Sequence, residues 1–460
     1  MKYVSTRGGV PPVGFAEAVR MGLADDGGLL VPDALPQLSP DTLRDWSRLR
    51  FQDLALELMT PFVGDELSRS DLADLIERSY ASFTAPEVTP VVEVGSRWVL
   101  ELFHGPTAAF KDVALQFLGN LFEYLLVRDG GELNIVGATS GDTGSAAIAG
   151  VRGKDRIRIF VLFPKGRVSP IQERQMTTVL DANVHNIALR GSFDDAQRLV
   201  KTLFRDLALK RECHLAAVNS INWARILAQV VYYFYAWARV TDGNPDRAIS
   251  FSVPTGNFGD IFAGFLAKRM GLPVDRLILA TNRNDILTRF VETGVYETGP
   301  VHATLSPAMD IQVASNFERY LYFLVGQDPD RVRCLFDALS RHGRLIVTEA
   351  EQARVKSDFA AMAVDDDATL SQIRETFTAS GYILDPHTAI GVRAGGDRRD
   401  LVCLATAHPA KFNEVVHRAI GREAPPPASL RGLMERPIRS IELGADIDAV
   451  RDFLRETLER

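Results

Sequence analysis

The sequence predicts an α/β fold with two parallel-sheet domains, preceded by a small, mainly helical amino-terminal domain. Three observations carry this. The chain has 460 residues, more than one ordinary compact core accommodates. Its first 95 residues hold helical periodicity, and beyond them short β-type apolar runs alternate with amphipathic helical windows.

From residue 39 to about 82, Leu54, Leu56, Leu58 and Met59, then Leu72, Leu75 and Ile76, recur at three-to-four spacing among charges, the signature of amphipathic helices. Pro86 and Pro90 punctuate the chain before a Val-rich run at 91–94, which reads as a strand or boundary and sets the end of the helical domain near residue 95. The runs at 133–136, 157–163, 184–189, 214–218, 249–253, 277–280 and 401–405 then have the length and composition of buried parallel strands. In such sheets ligands bind outside the carboxyl ends of the strands, so chemistry is expected in the loops that follow. Residues 226–238 form an apolar helical stretch interrupted by Gln229 and bounded by Arg225 and Arg239, too short to span a bilayer and therefore a core helix. Pro425 to Pro427 connect to a final helix from about Asp446 that carries no catalytic signal.

Composition excludes several functions. A net charge of −7 spread along this length leaves no basic footprint for nucleic acid or a membrane surface. Cys213, Cys334 and Cys403 are far apart and lack metal or redox spacing, so they read as reduced and mostly buried. His104, His387 and His408 are not spaced as metal ligands and read as structural or pocket-lining. Lys2 is followed by no apolar leader stretch, and a cytoplasmic location is expected.

Four segments carry chemistry. The loop Ala138-Thr-Ser-Gly-Asp-Thr-Gly-Ser145 leads into a small-residue helix, where close backbone approach and unpaired N–H groups suit a carboxylate; an ordinary capped helix is the alternative. A second loop, Val253-Pro-Thr-Gly-Asn-Phe-Gly-Asp260, has amides that suit a phosphate. It lacks the Lys-Ser/Thr of a nucleotide P-loop, and neither loop has dinucleotide GxGxxG spacing, which disfavours ATP and NAD. In Asn219-Ser-Ile-Asn-Trp-Ala-Arg225, Ser220 and Arg225 suit a second phosphate, with a helix cap and a surface arginine as the alternative.

The fourth segment is His104-Gly-Pro-Thr-Ala-Ala-Phe-Lys-Asp112. Lys111 lies beside Phe110 in apolar surroundings, where desolvation favours the neutral, nucleophilic amine that a Schiff-base lysine requires. Read alone, an ordinary helix lysine paired with Asp112 explains it as well.

Together these stretches resemble the fold type II (tryptophan synthase β-like) pyridoxal phosphate enzymes, and specifically the threonine synthases of the longer, bacterial and fungal type. The likeness spans nearly the whole chain. It includes Tyr3-Val-Ser-Thr-Arg-Gly8, Gly22-Leu-Ala-Asp-Asp-Gly-Gly-Leu-Leu-Val-Pro32, Ser306-Pro-Ala-Met-Asp-Ile-Gln-Val-Ala-Ser-Asn-Phe-Glu-Arg319, Asp385-Pro-His-Thr-Ala-Ile-Gly391 and Ala405-Thr-Ala-His-Pro-Ala-Lys-Phe412. The resemblance implies a helical domain at 1–95, a large cofactor domain at 96–125 and 230–460, and a small α/β domain at 126–229. It implies that Lys111 carries pyridoxal 5′-phosphate as an imine, that Gly256, Asn257, Phe258 and Gly259 hold the cofactor phosphate, and that Thr406 lies beside the pyridine nitrogen. Ser140, Gly141, Asp142 and Thr143 resemble the loop that meets the substrate carboxylate and the cofactor ring. Many relatives of this fold have Asn where this chain has Asp142, which puts its bond to the cofactor O3′ in question. By likeness to the shorter threonine synthases, Asn219, Ser220 and Arg225 would grip a substrate phosphate.

The resemblance implies conversion of O-phospho-L-homoserine and water to L-threonine and phosphate, with Lys111 both tether and base. It implies no nucleic-acid or membrane partner, and a monomer is compatible with the sequence. Three alternatives stand beside it: a phospholyase or other enzyme of the same fold, a catalytically silent metabolite-binding relative, and a nucleotide hydrolase. The last lacks its lysine.

Overall fold

The structure is a computed structural model that describes residues 1–139, 141–217 and 220–459. The chain divides into two compact units, Met1–His104 with Ser220–Pro425, and Gly105–Asn219 with Pro426–Arg460.

The larger unit is built on a six-stranded sheet in the order Phe359–Ala363, Val274–Thr281, Ile249–Pro254, Leu401–Ala405, Arg97–Glu101, Val91–Val94. All neighbours are parallel except the last pair, an antiparallel hairpin. The apolar stretch around 226–238 is the middle of the helix Trp223–Thr241, buried nearly all round, as a helix apolar on every face must be. Asn222 caps its start by accepting from the Ala224 amide. Among the described residues no helix is long and apolar enough to cross a membrane.

The amino-terminal helices belong to this unit. Phe51–Val63 and Arg69–Tyr80 bury Leu54, Leu58, Met59, Leu72, Leu75 and Ile76 on the expected stripes; Leu56 falls off the stripe and is half-buried. Tyr3–Ser5 pairs with Leu30–Pro32, and Glu318 accepts from Thr6 Oγ1 at 2.6 Å and Arg7 Nη2 at 2.8 Å. These long-range bonds tie the segment into the unit.

The smaller unit has a five-stranded, all-parallel sheet in the order Ile441–Gly444, Val184–Arg190, Ile157–Pro164, Leu133–Ala138, Leu215–Ala216. Its bounds differ from those expected. Residues 105–125 and 426–460 cluster here rather than with the larger unit, while residues 220–229 and the expected separate segment 1–95 cluster with the larger unit. The final segment is structural: Ile441 registers with Ile187, and the helix Ile447–Leu458, capped by Asp446, buries Val450 and Leu454 in this unit's core.

Two helices of this unit, Lys111–Asp129 and Asp142–Val151, cross at glycines. A methyl group at Gly119 would overlap the Gly150 carbonyl oxygen, and one at Gly150 would lie 2.5 Å from the Leu115 oxygen. Helix backbone cannot yield as a side chain can. Gly119→Ala therefore gains about 1 kcal/mol of helix propensity but incurs overpacking of about 3 kcal/mol. The expected result is a net loss of about 2 kcal/mol, measured as a lower urea midpoint at unchanged slope; an increase would show that the helices separate freely.

Candidate active site

The smaller unit presents Lys111 at the first position of its helix. Residues 105–110 reach it through a tight turn in which Ala108 is left-handed (φ 56°) and the Asp112 amide bonds to the Ala109 oxygen. Asp112, fully buried, accepts from the Thr107 amide at 2.8 Å and its hydroxyl at 2.7 Å, so it braces the turn. The charged group nearest the lysine is another one: Lys111 Nζ lies 3.7 Å from Asp142 Oδ2 and 4.8 Å from the Phe110 ring centroid. Only 12% of the lysine side chain is exposed, which excludes the ordinary surface lysine.

Asp142 begins the second helix. The preceding turn is closed by Thr139, whose hydroxyl accepts from the amides of Gly141 and Gly144 at 3.0 and 2.9 Å. Gly141 is at φ 155°, and its missing side chain leaves room for the amide of Gln172. Gln172 Nε2 donates to Asp142 Oδ1 at 2.7 Å, and Ser169 donates to Gln172 Oε1 at 3.0 Å. Thr143 is half-buried on the same turn. Ser140 and Asn219, both expected to bind substrate, lie outside the described residues.

In the larger unit the strand Ile249–Pro254 delivers the loop at 255–258 and the helix Gly259–Arg269. Phe258 is left-handed (φ 64°) and offers no side-chain cap to the helix start, a geometry that suits an anion. The Phe258 ring is 2% exposed and packs among Phe317, Tyr320 and Phe359. The ring anchors the loop. Asn316 holds the Asn257 carbonyl with both its amide and its side chain, at 3.0 and 3.2 Å. Gly256 is crowded by backbone: a Cβ there would lie 2.8 Å from the Ala308 oxygen.

Thr406 follows the strand Leu401–Ala405 and is 7% exposed. Its amide donates to the Thr388 hydroxyl at 3.3 Å, and that hydroxyl donates to the buried Asp385 carboxylate. The Thr406 hydroxyl bonds to no described residue. Ser220 shares a 2.5 Å hydrogen bond with Ser315, and the Ser220 carbonyl accepts from Asn316 Nδ2. Arg225 is 3% exposed, not the surface arginine of the simpler reading, and burial pushes its guanidinium pKa down to about 10.

Of the supports of these loops, sequence reading missed Arg319 and read His387 only as structural or pocket-lining. Arg319 is fully buried and donates to the Leu30 and Ile221 oxygens and to Asn316 Oδ1, fixing the residue that holds Asn257 and Ser220. Desolvation pushes its pKa down to about 9. His387 donates from Nδ1 to Asp385 and accepts the Ala308 amide at Nε2. Both lie inside the motifs quoted above, but their roles depend on partners far away in sequence. Among the described residues no cluster of His, Cys, Asp or Glu suits a metal.

In the smaller unit the enclosed lysine suits an aldehyde; in the larger unit the glycine loop suits a phosphate and the Thr406 hydroxyl a ring nitrogen, the groups that pyridoxal phosphate carries. The family model described as "Pyridoxal-phosphate dependent enzyme" matches residues 84–404, so the chain is a pyridoxal-phosphate-dependent enzyme. Models for the threonine synthase N terminus and C-terminal region match residues 2–80 and 388–454. The threonine synthase of Pseudomonas aeruginosa is 48% identical, over 99% of this chain and 98% of its own. The pyridoxal-phosphate-bound structure of threonine synthase from Brucella melitensis is 47% identical with a TM-score of 0.97, covering all of both chains. The yeast threonine synthase structure is 44% identical with a TM-score of 0.95, covering 100% of this chain and 99% of the other. The chain belongs to the threonine synthase family.

Proposed function

We propose that the chain converts O-phospho-L-homoserine and water to L-threonine and phosphate, with pyridoxal phosphate bonded through Lys111 Nζ. The observation that carries this is the enclosed lysine at a helix start, with Nζ 3.7 Å from a buried carboxylate. The cofactor, when bound, supplies an electron sink for the carbon beside the substrate nitrogen. The residues of the chain do the rest.

Lys111 Nζ, once released by substrate, takes the Cα proton as general base and moves protons at Cβ and Cγ as phosphate leaves and water adds at Cβ. The amides of Gly256, Asn257, Phe258 and Gly259 hold the cofactor phosphate at the uncapped helix start. Thr406 offers a neutral hydroxyl to the ring nitrogen and, unlike a carboxylate, does not keep that nitrogen protonated, which limits side reactions. Gly141 and Thr143, with Ser140, orient the substrate carboxylate, and Asp142 lies beside the cofactor ring. Ser220 and Arg225, with Asn219, grip the substrate phosphate; a buried guanidinium gives strong, directional bonds to phosphate oxygens. The protein acts in the cytoplasm, and a monomer is sufficient for these roles.

The test is incubation with phosphohomoserine, with products identified. Threonine and phosphate in equal amounts are expected. Appearance of 2-oxobutyrate in place of threonine would identify a phospholyase and overturn the proposal.

A further inference from the structure

We propose that Asp142 is the counter-ion of Lys111, stabilising the proton that Nζ takes from substrate, and that Gln172 is the positioning residue that aims Asp142 at it. This rests on the reading of Lys111 as the cofactor-bearing base.

Three observations converge. Asp142 Oδ2 is 3.7 Å from Nζ, and the two side chains are 5% and 12% exposed, so little water screens the pair. Asp142 Oδ1 is committed to Gln172 Nε2 at 2.7 Å, which turns the other oxygen toward the lysine. Gln172 is itself fixed, buried, with Ser169 donating to its Oε1. Asp112 is occupied by Thr107, and Gln175, which donates to the Thr107 oxygen at 2.8 Å, is neutral.

The chemistry follows from what a carboxylate is. An ionised aspartate only accepts hydrogen bonds, whereas asparagine would donate one without carrying charge. Near a lysine that alternates between amine and ammonium, the negative charge favours the protonated state. When Nζ takes the Cα proton it becomes an ammonium beside Asp142. When it returns a proton to another substrate carbon it becomes an amine again, and Asp142 stays ionised throughout. The counter-ion keeps that proton from being lost to water between the two transfers.

The test uses the full-length chain stripped of cofactor. Uptake of pyridoxal phosphate requires the unprotonated Nζ, so its rate rises with pH through the lysine's titration, and the cofactor's own titrations are common to all variants. Asp142→Asn is expected to lower the midpoint by about one to three pH units. Gln172→Leu, which leaves both charges but releases the carboxylate, is expected to lower it by less. If the Asn variant yields no folded protein, Gln172→Leu carries the test alone. An unchanged midpoint in the folded variants overturns the proposal. Borohydride reduction and peptide mapping of the wild-type holoenzyme separates the two failures: an adduct on Lys111 with an unmoved midpoint sinks the counter-ion alone, whereas an adduct on another lysine sinks the assignment beneath it.

Discussion

Lys111→Ala is expected to abolish threonine formation, lowering turnover on the order of 10⁴-fold or more. Loss of a general base alone costs about 10² to 10⁴ in rate; here the same amine is also the proposed covalent hold on the cofactor, so both contributions vanish together. The fold should survive. Asp142 keeps its bond from Gln172, and the turn before the helix is braced by Asp112 and Thr107 without the lysine. The measurements are a steady-state assay with phosphohomoserine and the visible absorbance fixed by borohydride, which should disappear. Lys111→Arg should be as inactive, because a guanidinium keeps its charge and cannot serve as the base. Turnover within tenfold of wild type in either variant would mean that another amine does the work.

The sequence made the strands with continuous apolar runs legible, because parallel strands buried on both faces need such runs. Each run read between residues 133 and 405 overlaps a strand of the two sheets; of the run at 214–218 only Leu215–Ala216 is strand, and residue 218 lies outside the described residues. The strands it missed are those whose burial depends on distant partners. Arg97–Glu101 is charged at both ends, and Phe359–Ala363 and Ile441–Gly444 sit at sheet edges with small or polar residues. Ile441 joins its sheet only because the chain returns to Ile187, a pairing no local pattern encodes.

The site shows the same split between local and distant information. Glycine loops are visible because backbone approach has a compositional signature. Their supports are not, since Gln172 and Arg319 stand in amphipathic stretches where either would pass for a surface residue. Burial gives them their roles: Gln172 is 7% exposed and Arg319 fully enclosed. Lys111 was legible as a candidate through its apolar company, but the sequence does not show which carboxylate lies beside its Nζ. Asp112 adjoins it in sequence, while Asp142, a helix away, lies beside its Nζ.

Gly256→Val is expected to weaken pyridoxal phosphate binding about 100-fold or more while leaving most of the fold intact. The crowding at this position is made of backbone: a Cβ would lie 2.8 Å from the Ala308 oxygen and 3.4 Å from the Met309 Cα. Those atoms cannot retreat, because the Ala308 amide is held by His387 and the Met309 amide by the Ser306 oxygen. The loop must move instead, and its amides leave the position proposed for the phosphate. Hydrogen bonds to a charged group are worth about 1.5 to 3 kcal/mol each, so displacing two costs about 3 to 6 kcal/mol, or roughly 10² to 10⁴ in affinity. Binding of pyridoxal, which has no phosphate, should change far less, and the ratio of the two affinities isolates the loop's contribution. Gly259 supplies the contrast: a Cβ there meets the side-chain nitrogen of Asn316 at 3.2 Å, a milder overlap that a shift of a few tenths of an ångström relieves, so Gly259→Ala should cost less than tenfold. Equal losses for both ligands in Gly256→Val would mean the loop shapes the pocket without gripping phosphate, and the phosphate would have to be held elsewhere.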